Sequence, residues 1–190
     1  MQSIKLHLEG TTALMLNNPR TVNPFDEYSK LLAPLTSKRK KEEADLLEIS
    51  RIKFLASLYT DSEGRYILPA QNIEMSFVEA ARENKLGKVF ERSFRICEDA
   101  LLHFEDEDKT PQQLYELGRY VDVRAVGIKN VKITTTRAII PTPWHVDVVA
   151  YYDETQLNED KILQAAEIAG LRYGVGTFRR VFGKYKVTAV

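Results

Sequence analysis

Asn158-Glu159-Asp160-Lys161-Ile162-Leu163-Gln164-Ala165-Ala166-Glu167-Ile168-Ala169 is followed by Gly170-Leu171-Arg172-Tyr173-Gly174-Val175-Gly176-Thr177-Phe178-Arg179-Arg180-Val181-Phe182-Gly183-Lys184 and then by Tyr185-Lys186-Val187-Thr188-Ala189-Val190. This stretch predicts a helix, a glycine-spaced loop and a closing strand. Asn158 is placed to cap the helix, with Leu157 and Ile162 as a hydrophobic staple across its start. The loop and the strand after it carry Arg172, Arg179, Arg180, Lys184 and Lys186, and no acid falls between Gly170 and Lys186. Tyr173, Phe178, Phe182 and Tyr185 alternate with these cations, which places charges suited to phosphates beside rings suited to bases. Gly174 and Gly176 let backbone approach a phosphate closely, and Arg179 and Arg180 can add bidentate contacts. The alternative at this point is a connector whose Phe178 and Phe182 pack on the core.

Working backwards, Trp144 to Tyr152 reads as a strand with Trp144 as a core or edge anchor, after two β-branched runs, Val121 to Ile128 and Val131 to Ile140, joined through Lys129-Asn130 as a hairpin. Thr110-Pro111 opens a short helix. Glu105-Asp106-Glu107-Asp108 reads as an exposed acidic loop. Ala100 to Phe104 and Val89 to Ile96 are expected to pair as a hairpin. Asn72 is expected to cap a helix with Ile73, Phe77, Ala80 and Ala81 on one face, closed by Gly87. A short strand from Arg65 to Leu68 precedes it, ending at Pro69. From Pro24 to Tyr59 the pattern is helical with a break near Pro34, and Lys38-Arg39-Lys40-Lys41 is either a contact surface or a solvated helix start. Residues 4 to 16 form one strand or two broken at Gly10, with Ile4, Leu6 and Leu8 on one face.

Stripped of its middle, the chain reads strand, long helix, strands, helix, strand. Two crossovers, one from the first strand through the long helix and one from Trp144 to Val190, predict an α+β fold: a ferredoxin-like or RRM-like antiparallel sheet with helices on one face and a helical insertion. The expected organisation is a single domain over 1–190, with the insertion at about 24–60 and the glycine-rich loop at 170–183.

The ending Ile168-Ala169-Gly170-Leu171-Arg172-Tyr173-Gly174-Val175-Gly176, leading to Phe182-Gly183-Lys184-Tyr185-Lys186-Val187, resembles the RAMP superfamily of CRISPR effector complexes. Ile67-Leu68-Pro69-Ala70-Gln71-Asn72 is a second echo, with Ala70, Gln71 and Asn72 where the family has glycine and serines after the proline. The ending also looks like that of stand-alone bacteriophage versions of the fold. The resemblance implies a glycine-rich loop between the last helix and last strand of a ferredoxin-like fold. It also implies a single-stranded RNA or DNA partner, copies assembled along the strand, and no cofactor.

Composition frames these expectations. The 190 residues hold 27 basic and 27 acidic side chains, so the cationic loop is a local feature within a neutral chain. Neutrality argues against a protein that coats DNA in bulk. The single cysteine, Cys97, excludes an internal disulfide framework and reads as a buried apolar residue, and no metal site is expected. Neither an export signal nor a membrane span is read from the sequence, so the expected location is the cytoplasm of a bacterial host cell. His7 is either solvent-facing or a general base, His103 stands beside an acidic run, and His145 shares a strand face with Asp147. No catalytic motif accompanies them, so binding is favoured over catalysis, with an RNA endonuclease as the minority reading. The competing class is a self-assembling structural protein of a virus or mobile element, in which the acidic 105–108 loop meets the basic 179–186 segment of another copy.

Overall fold

The computed structural model describes residues 1–128 and 131–190. Two compact units are present. The first comprises residues 1–15, 59–107 and 140–190, and the second residues 16–58 and 108–139.

In the first unit, β1 (Gln2–Gly10), β4 (Phe94–Ile96), β6 (His103–Phe104), β9 (Trp144–Tyr152) and β10 (Tyr185–Ala189) form a five-stranded antiparallel sheet. Its order is β10-β1-β9-β4, with β6 also paired to β9. The chain passes from β1 through α3 (Ala70–Ala81) to β4, and from β9 through α6 (Glu159–Ile168) to β10. This is the ferredoxin-like plan, but α3 makes its first crossover in place of the expected long helical stretch, which belongs to the second unit. Strict alternation makes it possible. Ile4, Leu6 and Leu8 of β1 and Val146, Val148 and Ala150 of β9 are buried, while Lys5, Asp147, Val149 and Tyr151 between them are exposed. A period of two gives each strand one apolar face, and the two helices cover it.

The helices are held to the sheet by their own stripes. Ile73, Phe77, Ala80 and Ala81 of α3 are buried, as are Ile162, Ala165 and Ala166 of α6. The alanines let α3 and α6 approach closely, and Phe77 stacks on Phe94 with ring centroids 5.5 Å apart. Each large side chain buried in this way contributes about 1.5–3 kcal/mol. Asn158 accepts from the Lys161 amide at 3.0 Å, so the expected cap of α6 is present, with Leu157 and Ile162 both buried beside it. Trp144 is fully buried, and its indole N–H donates to the Thr12 carbonyl at 2.8 Å.

Several local expectations are corrected. α3 begins at Ala70 after Pro69, not at Asn72, because Asp99, distant in sequence, accepts from the Ala70 amide at 2.8 Å and caps the helix from outside. Gly87 opens α4 (Gly87–Ser93) rather than closing α3, so only the end of the expected Val89–Ile96 strand is extended. β4 and β6 do not pair with each other. Both pair with β9, whose nine residues have room for the two, and β5 (Ala100–Leu101) pairs instead with β3 (Ile67–Leu68). Cys97 is exposed, on the turn after β4. The 105–108 segment is only partly a solvent loop, since Asp106 is buried and Glu107 accepts from the Phe104 amide at 3.2 Å.

The second unit contains β2's successor segment from Leu16, α1 (Glu27–Thr36), α2 (Glu43–Ser57), α5 (Pro111–Leu117) and the paired strands β7 (Val121–Ile128) and β8 (Val131–Ile140, through Ile139), where β2 is Leu14–Met15. Pro34 lies inside α1, and the chain leaves the helix only after Thr36. Lys38 pairs with Asp45 at 2.5 Å, so part of the basic run serves the start of α2. Thr110 and Gln113 form a capping box on α5. Ser57 ties the unit together: its hydroxyl donates to the Phe54 carbonyl and accepts from the Ala138 amide, at 2.7 and 2.8 Å. The expected Lys129-Asn130 turn lies outside the described residues. No helix among the described residues is long and apolar enough to cross a membrane.

Candidate nucleic-acid interface

The glycine loop leaves α6 through a wide turn over Ala169–Tyr173 and folds back on the β1–β2 connection. Several of its amides are already engaged. Gly174 donates to Ala169, Val175 to Gly183, Thr177 to Met15 and Gly183 to Ala13, and the Lys184 amide donates to the Thr12 hydroxyl. Gly183 has φ +70°, and a β-carbon there would lie 1.9 Å from the Val175 carbonyl oxygen. One on Gly176 would lie 2.4 Å from the Met15 carbonyl oxygen. These two glycines therefore allow backbone-to-backbone closure of the chain on itself, and the Gly174, Val175, Thr177 and Gly183 N–H groups are taken by protein carbonyls.

The loop's cations divide into two groups. Arg179 pairs with Glu79 through both guanidinium ends, at 2.8 and 3.3 Å. Arg172 pairs with Glu83, which also accepts from the Tyr173 hydroxyl at 3.0 Å. Glu79 lies on α3 and Glu83 four residues on, in the 3-10 turn Arg82–Asn84 that follows it, so the end of that helix and the turn neutralise this side of the loop. Lys184 donates to the Arg172 carbonyl, and burial together with the Arg179 charge pushes its ammonium pKa down. Arg180 and Lys186 are exposed and make no ion pair among the described residues. The rings divide too. Phe178 is 40% exposed and Phe182 half-buried, whereas Tyr185 is enclosed, its hydroxyl 3.0 Å from Ser76 and its pKa raised by burial. Tyr185 is a core residue, not a stacking platform.

A second set of residues gathers on the helix-free face of the sheet. Register places His7 opposite Asp147 and Thr188, Glu9 opposite His145 and Lys186, Lys5 opposite Val149, and His103 opposite His145. All three histidines of the chain thus meet. The His103 and His145 rings stack at 4.9 Å, and His145 and His7 lie 5.2 Å apart. The outer two are fixed by carboxylates: His7 Nδ1 is 2.7 Å from Asp147, and His103 Nδ1 is 3.0 Å from Glu107. Each keeps Nε2 away from its acid. Tyr151 extends the face along β9, 40% exposed. The sequence placed these histidines on strands one at a time, but the pairing of β6 with β9 that joins them is not a local signal. The outward positions of His7 and His145 in two alternating strands were the available clue. Among the described residues, no three His, Cys, Asp or Glu side chains are arranged to hold a metal ion.

No family model and no curated protein matches the chain. Among solved structures, the whole chain is similar to a chain in the Type III-B Cmr-beta bound to cognate target RNA, at 12% identity and a TM-score of 0.50. It spans 61% of that chain's length. A Cas6 product complex aligns over 98% of this chain and 50% of that one, at 10% identity and a TM-score of 0.29. At this identity the first likeness bears on the fold alone, and that fold is the α+β, ferredoxin-like one described above.

Proposed function

We propose that the chain is a single-stranded nucleic-acid-binding protein of the RAMP backbone kind, holding the strand across the helix-free face of its sheet. The row His103, His145, His7, with Tyr151 on the same face, carries this reading. Flat rings on an open antiparallel sheet suit unstacked bases, each stacked base being worth about 1–3 kcal/mol. Lys5, Lys186 and Arg180 are exposed and unpaired among the described residues, which makes them available to phosphates. The loop's part is reduced to Arg180, Phe178 and the adjoining Lys186, since Arg172 and Arg179 already have carboxylate partners.

Head-to-tail assembly through the acidic loop has less to work with. Asp106 is buried, Glu107 holds His103, and Arg179 holds Glu79.

Binding of a labelled single strand measured against salt tests the proposal. Arg180→Ala and Lys186→Ala are each expected to reduce the magnitude of the salt slope by about one, uniformly across sequences. Absence of any complex at about 50 mM salt contradicts it. The strand is expected to be recovered intact; cleavage would reassign the histidines from stacking to acid–base chemistry.

A further inference from the structure

Beside the histidine row lies a cavity of about 360 Å³, lined by Glu98, Asp99, Leu101, His103, Asp147 and Tyr151 among others. Its size is at the lower end for small-ligand pockets, which run about 300–1,000 Å³. Leu101, Val149 and Tyr151 give it exposed apolar and aromatic walls, between 37% and 40% accessible. Among the described residues no Lys or Arg lines it, and the carboxylates that do would repel a phosphate. Asp147 gives one oxygen to His7, and Asp99 gives one to the Ala70 amide. Glu98 is exposed and has no partner among the described residues.

We infer that this cavity takes one unstacked guanine of the bound strand, read through the carboxylate of Glu98. The inference rests on the nucleic-acid reading above and adds its base preference. Guanine presents two adjacent donors, N1–H and the N2 amine, which match the two oxygens of one carboxylate. Adenine and cytosine each place a ring acceptor beside their single amine, and uracil flanks its one donor with two carbonyls, so each sets an acceptor against the carboxylate. The walls fit the other requirements of a base: rings and aliphatic carbon for its faces, and hydrogen-bond acceptors for its edge. Lys5 lies directly across the strand pair from Val149, placing a cation at the mouth for the phosphate that the cavity itself refuses.

Fluorescence anisotropy with short adenosine-rich strands carrying one central guanine, inosine or adenine tests this. The guanine strand is expected to bind roughly tenfold more tightly than the adenine strand, with inosine, which lacks the N2 amine, in between. Glu98→Gln is expected to bring the guanine-to-adenine ratio close to one. Equal binding of all three strands overturns the guanine inference while leaving the sheet-face proposal standing. A preference that survives Glu98→Gln overturns the assignment to this cavity. Failure of every strand to bind overturns both.

Discussion

Gly183→Ala is expected to destabilise the protein by about 3 kcal/mol with no nucleic acid present. Two effects combine. The residue sits at φ +70°, where a side chain is strained, and its β-carbon would fall 1.9 Å from a carbonyl oxygen that belongs to backbone and has little room to move. The Val175 and Gly183 amides, which donate to Gly183 and Ala13, would be pulled from their acceptors as the chain gives way. Urea unfolding followed by circular dichroism reads this as a lower midpoint at unchanged slope. A variant that keeps wild-type stability and loses only nucleic-acid binding would show that the loop is a phosphate cradle after all.

The sheet face predicts the opposite separation. His145→Ala combined with Tyr151→Ala removes two ring surfaces and is expected to weaken single-strand binding by about 3 kcal/mol, roughly a hundredfold. Both side chains lie on the helix-free face, between the buried positions of β9, so the core does not depend on them. Unfolding free energy is expected to change by no more than about 0.5 kcal/mol for such outward positions. Wild-type affinity in the double variant, measured at fixed salt, would remove the rings from the interface.

These two expectations mark where sequence and structure agree and where they part. The alternation of β1 and β9, the apolar stripe of α3 and the Asn158 cap are local patterns, and all three are present in the structure. Positions that depend on distant partners were hidden. Asp99 sets the start of α3, and Phe90, buried, belongs to a short helix instead of a strand. The same holds for the site. Five cations among glycines pointed to one binding loop, but Glu79 and Glu83 lie far away in sequence and take two of its arginines. Conversely, three histidines that look unrelated along the chain converge because β9 accepts β1 on one side and β6 on the other. A salt bridge or a strand register is a property of the fold, and neither has a periodic signature.

On the proposed reading, the nucleic-acid strand lies on the open sheet face. Photo-crosslinking of a single strand substituted with 4-thiouridine or 4-thiothymidine, followed by peptide mapping, tests it directly. Crosslinks are predicted within Gln2–Gly10 and Trp144–Tyr152, on residues such as His7, His145 and Tyr151. Crosslinks confined to residues 170–183, or to residues 38–41, would contradict it.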